Sequence, residues 1–365
     1  MSDHPYRTLP AKAFWRKSVA GVAMADVDPV GRFDLKIGPR TKVATAGSCF
    51  AQHIARHLRA AGFNYYVIEP GHPILPEAVR EKNNYGTFSA RYGNIYTARQ
   101  LRQLLDRAYG RFTPGEPAWI DADGTVRDPF RPAVQPGNFV SIDEMEADRR
   151  QHLAAVRTMF ERLNVFVFTL GLTECWVSKA DGAVFPLCPG VEGGSFDPDR
   201  YVFHNQPVTE VIDDMQYVLS ELKTVNPSAQ VVLTVSPVPL MATAAAGTHV
   251  LTATTYSKAV LRVAAQALTE ANDNVHYFPS FEIITGAYNR GSYYADDLRN
   301  VTEHGVSHVM RLFLKYAAGT TSASAAAKGS TVREDGDPKQ DEFLARAKSF
   351  VEVECEEAAL DPDEP

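Results

Sequence analysis

Val43-Ala44-Thr45-Ala46-Gly47-Ser48-Cys49-Phe50-Ala51-Gln52-His53-Ile54-Ala55-Arg56-His57-Leu58 is a short apolar run that gives way, at Gly47-Ser48, to a helical pattern. A small residue followed by a hydroxyl at a strand-to-helix turn is how α/β hydrolases present a nucleophile. The glycine lets the backbone turn sharply, and the N-terminus of the following helix offers N–H groups to a developing oxyanion. The same stretch also reads as a small-residue turn that packs strand against helix. Taken alone it leaves both readings open.

Outward from this turn, apolar runs and helical patterns alternate. Asn64-Tyr65-Tyr66-Val67-Ile68 has the β-branched and aromatic content of a second strand. Leu101, Leu104, Leu105 and Ala108 are spaced for a helix over 97–109. A helix is predicted over 141–162, with Ser141 as its cap and Glu144 three residues on. Val165-Phe166-Val167-Phe168-Thr169-Leu170 is apolar throughout, which predicts a strand of a parallel sheet covered on both faces. A loop is expected through Cys188-Pro189-Gly190 and Phe203-His204-Asn205, then a helix over 208–224 and a strand over 230–235. A helix over 256–272, a strand over 275–278 and a helix over 301–316 capped by Thr302 complete the series. Five strand–helix repeats predict a doubly wound α/β sheet, whose ligands bind outside the carboxyl ends of the strands.

Residues 1–38 carry scattered aromatics and are expected to wrap the body as an N-terminal arm. The α/β domain then spans 39–317, with a Pro- and Gly-rich insertion at about 111–140 that contains the turn Asp121-Ala122-Asp123-Gly124. From Ala318 onward, five basic and twelve acidic residues account for the whole net charge of -7. Residues 318–365 therefore read as a flexible acidic tail, with a short amphipathic segment over 342–357 suited to a protein partner. The body is formally neutral, which argues against a nucleic-acid groove.

The 45% hydrophobic and 10% aromatic fractions are those of an ordinary globular protein. No apolar run approaches the ~18 residues of a membrane span. The polar start, Met1-Ser2-Asp3-His4, is unlike a secretory signal, so a cytoplasmic location is expected. Cys49, Cys175, Cys188 and Cys355 lack metal-like spacing. His53 and His57 stand one helical turn apart but have no third ligand in view, so no metal site is expected.

Polar groups follow four of the five strands. Ser48 and Cys49 follow the first, and Gly171-Leu172-Thr173-Glu174 follows the third. Ser236 and His249 follow the fourth, and Asp296, Asp297, Asn300 and His304 follow the last. A nucleophile, polar groups and bases thus converge on one edge of the sheet. Cys49 is a second nucleophile candidate, since a helix N-terminus lowers a thiol's pKa, although side chains at neighbouring positions of a turn diverge. Glu174 suits orienting a base or binding a sugar hydroxyl; its structural alternative is an ion pair with Lys258 or Arg262.

Several further stretches occur in order: Asn84-Tyr85-Gly86-Thr87-Phe88-Ser89, Gly93-Asn94-Ile95-Tyr96-Thr97, Phe168-Thr169-Leu170-Gly171-Leu172-Thr173-Glu174, Thr234-Val235-Ser236-Pro237-Val238, Tyr256-Ser257-Lys258 and Tyr277-Phe278-Pro279-Ser280. With 47–51 they make the chain similar, over roughly 40–316, to the GSCFA-domain proteins. That family resembles a branch of the SGNH hydrolases. The resemblance implies a flavodoxin-like three-layer α/β/α sandwich with a central parallel sheet, and hydrolysis or transfer of acyl esters, often on sugars. It implies Ser48 as nucleophile, Gly86 as the oxyanion glycine and Gly171-Leu172-Thr173-Glu174 as the oxyanion block, with Thr173 where the SGNH pattern has asparagine. It implies Asp297 as the aspartate of the last block, where Asn300 stands in the histidine place. Asparagine cannot take a proton from Ser48, which leaves His304 or His249 as base, with His308 one turn beyond His304.

Two functions from different classes follow. The first is a serine esterase or O-acyltransferase acting on a small-molecule or glycan substrate, with no cofactor, or with acyl-CoA as donor in the transferase case. The second is a non-catalytic relative that binds carbohydrate or nucleotide through a degenerate site.

Overall fold

A computed structural model describes residues 4–318 together with Ala359 and Leu360. The acidic tail from 319, including the segment 342–357, otherwise lies outside the described residues. The strands are β1 (Val43–Gly47), β2 (Trp119–Ile120), β3 (Val126–Arg127), β4 (Val165–Leu170), β5 (Glu174–Ser178), β6 (Val184–Phe185), β7 (Tyr201–Asn205), β8 (Gln230–Val235) and β9 (Val275–Tyr277). The helices are α1 (Phe50–Ala60), α2 (Glu77–Lys82), α3 (Ala98–Ala108), α4 (Ile142–Arg162), α5 (Val208–Val225), α6 (Val250–Ala271), α7 (Ser280–Thr285) and α8 (Glu303–Ala317).

The central sheet is parallel, in the order β1-β4-β8-β9. Side chains alternate across it, because successive residues of a strand point to opposite faces. Ala44, Ala46, Phe166, Phe168, Leu170, Val231 and Leu233 share a core with α3, α4, α5 and α6. Val43, Val165, Val167 and Val232 share the opposite core with α1, α7, α8 and the N-terminal arm. The architecture is a three-layer α/β/α sandwich.

One expected strand is reduced. Residues 64–68 make a single parallel bridge, Val43↔Tyr65, where a full strand was expected beside β1. The segment turns away because Ile68 N donates to Ser89 O and not to the sheet. The expected loop after β4 is also different: β5, β6 and β7 form an antiparallel sheet in the order β6-β5-β7. Its signal was the aromatic and β-branched content of Cys175-Trp176-Val177 and Tyr201-Val202-Phe203.

Residues 111–140 carry the β2–β3 hairpin. Buried ion pairs tie the segment to α4: Arg131 and Arg149 hold Asp128, and Arg131 with Arg91 holds Asp148. Burial alone would push the Asp128 carboxyl up, but these guanidinium groups hold it far below the usual carboxylate range.

The arm packs through Val27, Val30, Phe33, Leu35 and Ile37, all buried against α8 and β9. Its fixed point is His308. The His308 Nε2–H donates to Val27 O at 3.0 Å, and Nδ1 accepts from the Tyr293 hydroxyl at 2.6 Å. His308 is therefore a buried tether and does not face the sheet edge where a base was sought. Burial, aided by Arg311, pulls its pKa down to about 4. A protonated Nδ1 could no longer accept from Tyr293, so the folded chain needs the neutral ring. The folded pKa lies below the unfolded ~6.5, so this stability is complete above pH ~6.5 and is lost as pH falls toward 4. The urea midpoint is expected to fall over that interval, by on the order of 2 kcal/mol from this group, and the H308Q chain is expected to show a shallower fall. An unchanged slope in H308Q would remove His308 from that role.

Candidate active site

β1 delivers Ser48 to the carboxyl edge of the sheet. Gly47 pairs with Thr169 of β4 and adopts φ +138°, a conformation open to glycine. Any Cβ there would lie 2.4 Å from Thr169 O, so the chain turns sharply against the central strand. α1 begins two residues beyond Ser48, with its positive dipole end toward the turn. Ser48 is 4% exposed, and its Oγ is buried without a hydrogen-bond partner.

Two neighbouring segments, 93–97 and the end of β4, close on this turn. Ile95 N donates to Gly47 O, which brings the stretch 93–97 alongside β1. Tyr96 O accepts from Gly171 N and Leu172 N, which joins that stretch to the end of β4. Gly171 itself lies against the serine: a Cβ built on it would stand 3.2 Å from Ser48 Cβ and 2.9 Å from Tyr96 O. Asn94 is buried here too and accepts from Gln52 of α1 at 3.5 Å. The motif 93–97 thus lines the serine turn, a placement its sequence alone does not reveal.

α6 supplies the charge. Lys258 is 3% exposed, and its Nζ donates to Gly171 O at 2.5 Å. Its neighbour Ser257 accepts from Thr173 N at 3.0 Å. Consecutive residues of α6 therefore grip the loop after β4, and an amine stands against the same glycine that contacts Ser48. Of the two cations considered for Glu174, Arg262 pairs with Glu282, and Lys258 donates to Gly171 O. Glu174 accepts from the Thr243 hydroxyl at 2.7 Å, and desolvation raises its pKa. A lysine on the apolar face of α6, in register with Leu261 and Ala265, was the overlooked signal.

The remaining candidates lie elsewhere or are engaged. Thr173 is fully buried and donates its hydroxyl to Asn205 Oδ1 at 2.6 Å, so its proton is committed away from an oxyanion. Gly86 O accepts from Arg59, the penultimate residue of α1. Cys49 is buried in the apolar cluster with Phe50 and Ile54. His249 is the exposed N-cap of α6, accepting from Leu251 N at 3.1 Å. His304 is exposed on the first turn of α8, its ring edge-on to Tyr293 with centroids 5.2 Å apart.

The last block closes on itself. Asp297 Oδ1 accepts from the backbone N of Arg299 and Asn300, and Asn300 Nδ2 donates to Asp297 Oδ2 at 2.6 Å. Asp297 and Asn300 thereby form an exposed turn before α8, and the aspartate orients no imidazole. Nor does any histidine bond to Ser48 Oγ.

The match to known proteins is extensive. The model of the GSCFA family matches residues 42–313, which is most of the chain and includes every segment around Ser48. The chain belongs to the GSCFA family. No curated protein matches it. The GSCFA match begins one residue before β1 and ends within α8, so it takes in the whole central sheet and leaves out the arm of residues 1–38. Among the described residues, no group of three or more His, Cys, Asp or Glu side chains could hold a metal ion. No described helix is long and apolar enough to cross a membrane. A polar cavity beside His152 and Arg131 measures about 20 Å³, the size for a water rather than a substrate.

Proposed function

We propose that the chain is a serine-dependent acyl enzyme, an esterase or O-acyltransferase, with Ser48 as nucleophile. The observation that carries this reading is the buried Ser48 hydroxyl without a partner, on a glycine-built strand-to-helix turn.

Ser48 Oγ attacks the acyl carbonyl, and backbone N–H groups at the start of α1 receive the oxyanion. Lys258 takes the base's place. In this reading Nζ, held at Gly171 O, takes the Ser48 proton as the Oγ–acyl bond forms, then returns it to the departing alkoxide as the ester bond breaks. Water or a hydroxylated acceptor such as a sugar repeats the cycle in reverse, giving hydrolysis or transfer. Serine–lysine pairs are one of the recurrent versions of this chemistry.

The test is a serine-reactive fluorophosphonate applied to the full chain, with the adduct located by mass spectrometry. Labelling is expected at Ser48 and is expected to slow by about 10²–10⁴-fold in the Lys258→Met chain. Lys258→Arg keeps the charge but cannot accept a proton; full labelling in that variant would reassign Lys258 to electrostatic support. The closed Asp297–Asn300 turn favours the second reading, a non-catalytic relative that binds carbohydrate or nucleotide. In that case Ser48 stays unlabelled at every pH and concentration.

A further inference from the structure

Beside Gly171 the fold opens an apolar pocket of about 260 Å³ between the β5–β7 sheet and the loop after β8. Leu172, Trp176, Leu187, Phe203 and Leu240 line it. Leu172 is the residue next to Gly171, so the pocket starts one residue from the contact with Ser48. Its volume is several times the ~30 Å³ that a water takes in the liquid, and its walls suit an aliphatic group.

One wall comes from far away in the chain. Leu360 lies among the lining residues, with Ala359 exposed beside it. In the last ten residues, Glu356-Glu357-Ala358-Ala359-Leu360-Asp361-Pro362-Asp363-Glu364-Pro365, Leu360 is the one large apolar side chain. Asp and Glu residues bracket it on both sides, so this leucine is the part of the chain end that gains from leaving water. We propose that the pocket is a binding site for an aliphatic group and that Leu360, as one of its walls, takes up part of it, so that the chain end competes with an aliphatic ligand. Where the Ser48 reading holds, that ligand is the acyl chain of the substrate. Occupancy by Leu360 does not depend on that reading.

The test uses the full chain. A fluorescent peptide of residues 354–365 is titrated into the wild-type chain, the L360D chain and the A242W/L360D chain. Ala242 is an exposed residue of the pocket rim, so tryptophan there fills the site without disturbing the core. The L360D chain is expected to bind the peptide at least ten times more tightly than the wild type, whose own end occupies the site. A242W/L360D is expected to lose that gain, and octanoate is expected to displace the peptide from the L360D chain. Equal affinity for wild type and L360D, or binding that survives A242W, would overturn occupancy by Leu360. Peptide binding that octanoate fails to displace would overturn the shared aliphatic site. Fluorophosphonate labelling of the same L360D chain reports on Ser48 separately, so failure of the catalytic reading is distinguishable from failure of this one.

Discussion

The Ser48→Ala chain is expected to lose essentially all turnover of p-nitrophenyl esters while folding as well as the wild type. Removing a catalytic nucleophile costs about 10⁴–10⁶-fold in kcat, because what remains is binding and oxyanion stabilisation. Stability should respond quite differently. A typical buried serine donates to a neighbour, and its loss leaves that neighbour unsatisfied at a cost of about 1–3 kcal/mol. Ser48 Oγ has no partner to orphan, so its removal should shift the unfolding free energy by less than about 1 kcal/mol, in either direction. Kinetics and urea denaturation on one preparation check both halves. Retained turnover would sink the nucleophile; a loss of several kcal/mol would mean that the hydroxyl is structural.

The Gly47→Ala chain is expected to show the opposite pattern, with a destabilisation of about 4 kcal/mol or more. Two costs add at this position. The φ of +138° is one that L side chains rarely adopt. The added methyl would also stand 2.4 Å from Thr169 O and 2.7 Å from Thr169 Cβ, atoms of the central strand that cannot move without breaking β4 from its neighbours. Flexible side chains absorb such overlaps; a strand paired on both edges does not. Equilibrium unfolding measures the effect, and a change below about 1 kcal/mol would mean that the turn can relax. Gly171 is tight for a different reason. Its φ is ordinary, and the glycine is needed for the close approach of Tyr96 O and Ser48.

Much of the architecture was legible because it depends on local pattern. The unbroken apolar run of β4 called for two covered faces, and the two cores on either side of the sheet supply them. Ser141 and Thr302 each cap the helix that follows, as expected. The strand expected at 64–68 illustrates the limit. Its composition is that of a strand, but pairing needs a partner in register, and only Val43↔Tyr65 forms. The β5–β7 sheet was read as a loop because short antiparallel strands between Gly- and Pro-rich turns leave little periodicity to count.

The site divides in the same way. Ser48 could be read from one segment, since a strand, a glycine turn and a helix in succession place a hydroxyl at the sheet edge. His249, His304 and Asp297 lie on the sequence segments where a base was sought, but their roles depend on which neighbours they meet. The structure makes His249 a helix cap, sets His304 edge-on to Tyr293 and folds Asp297 onto Asn300. Lys258 was named in the sequence only in a family stretch and as an ion-pair partner for Glu174; its contact with Gly171 appears once α6 packs against the loop after β4.

The sequence by itself determined the layered α/β plan, the family and the serine turn, because hydrophobic period, capping and glycine geometry act over a few neighbouring residues. Tertiary structure alone decided what surrounds Ser48. The amine on Gly171, the stretch 93–97 along β1 and Leu360 on the wall of the neighbouring pocket come from segments tens to hundreds of residues away. Contacts between such distant segments follow from packing, and no local pattern records them.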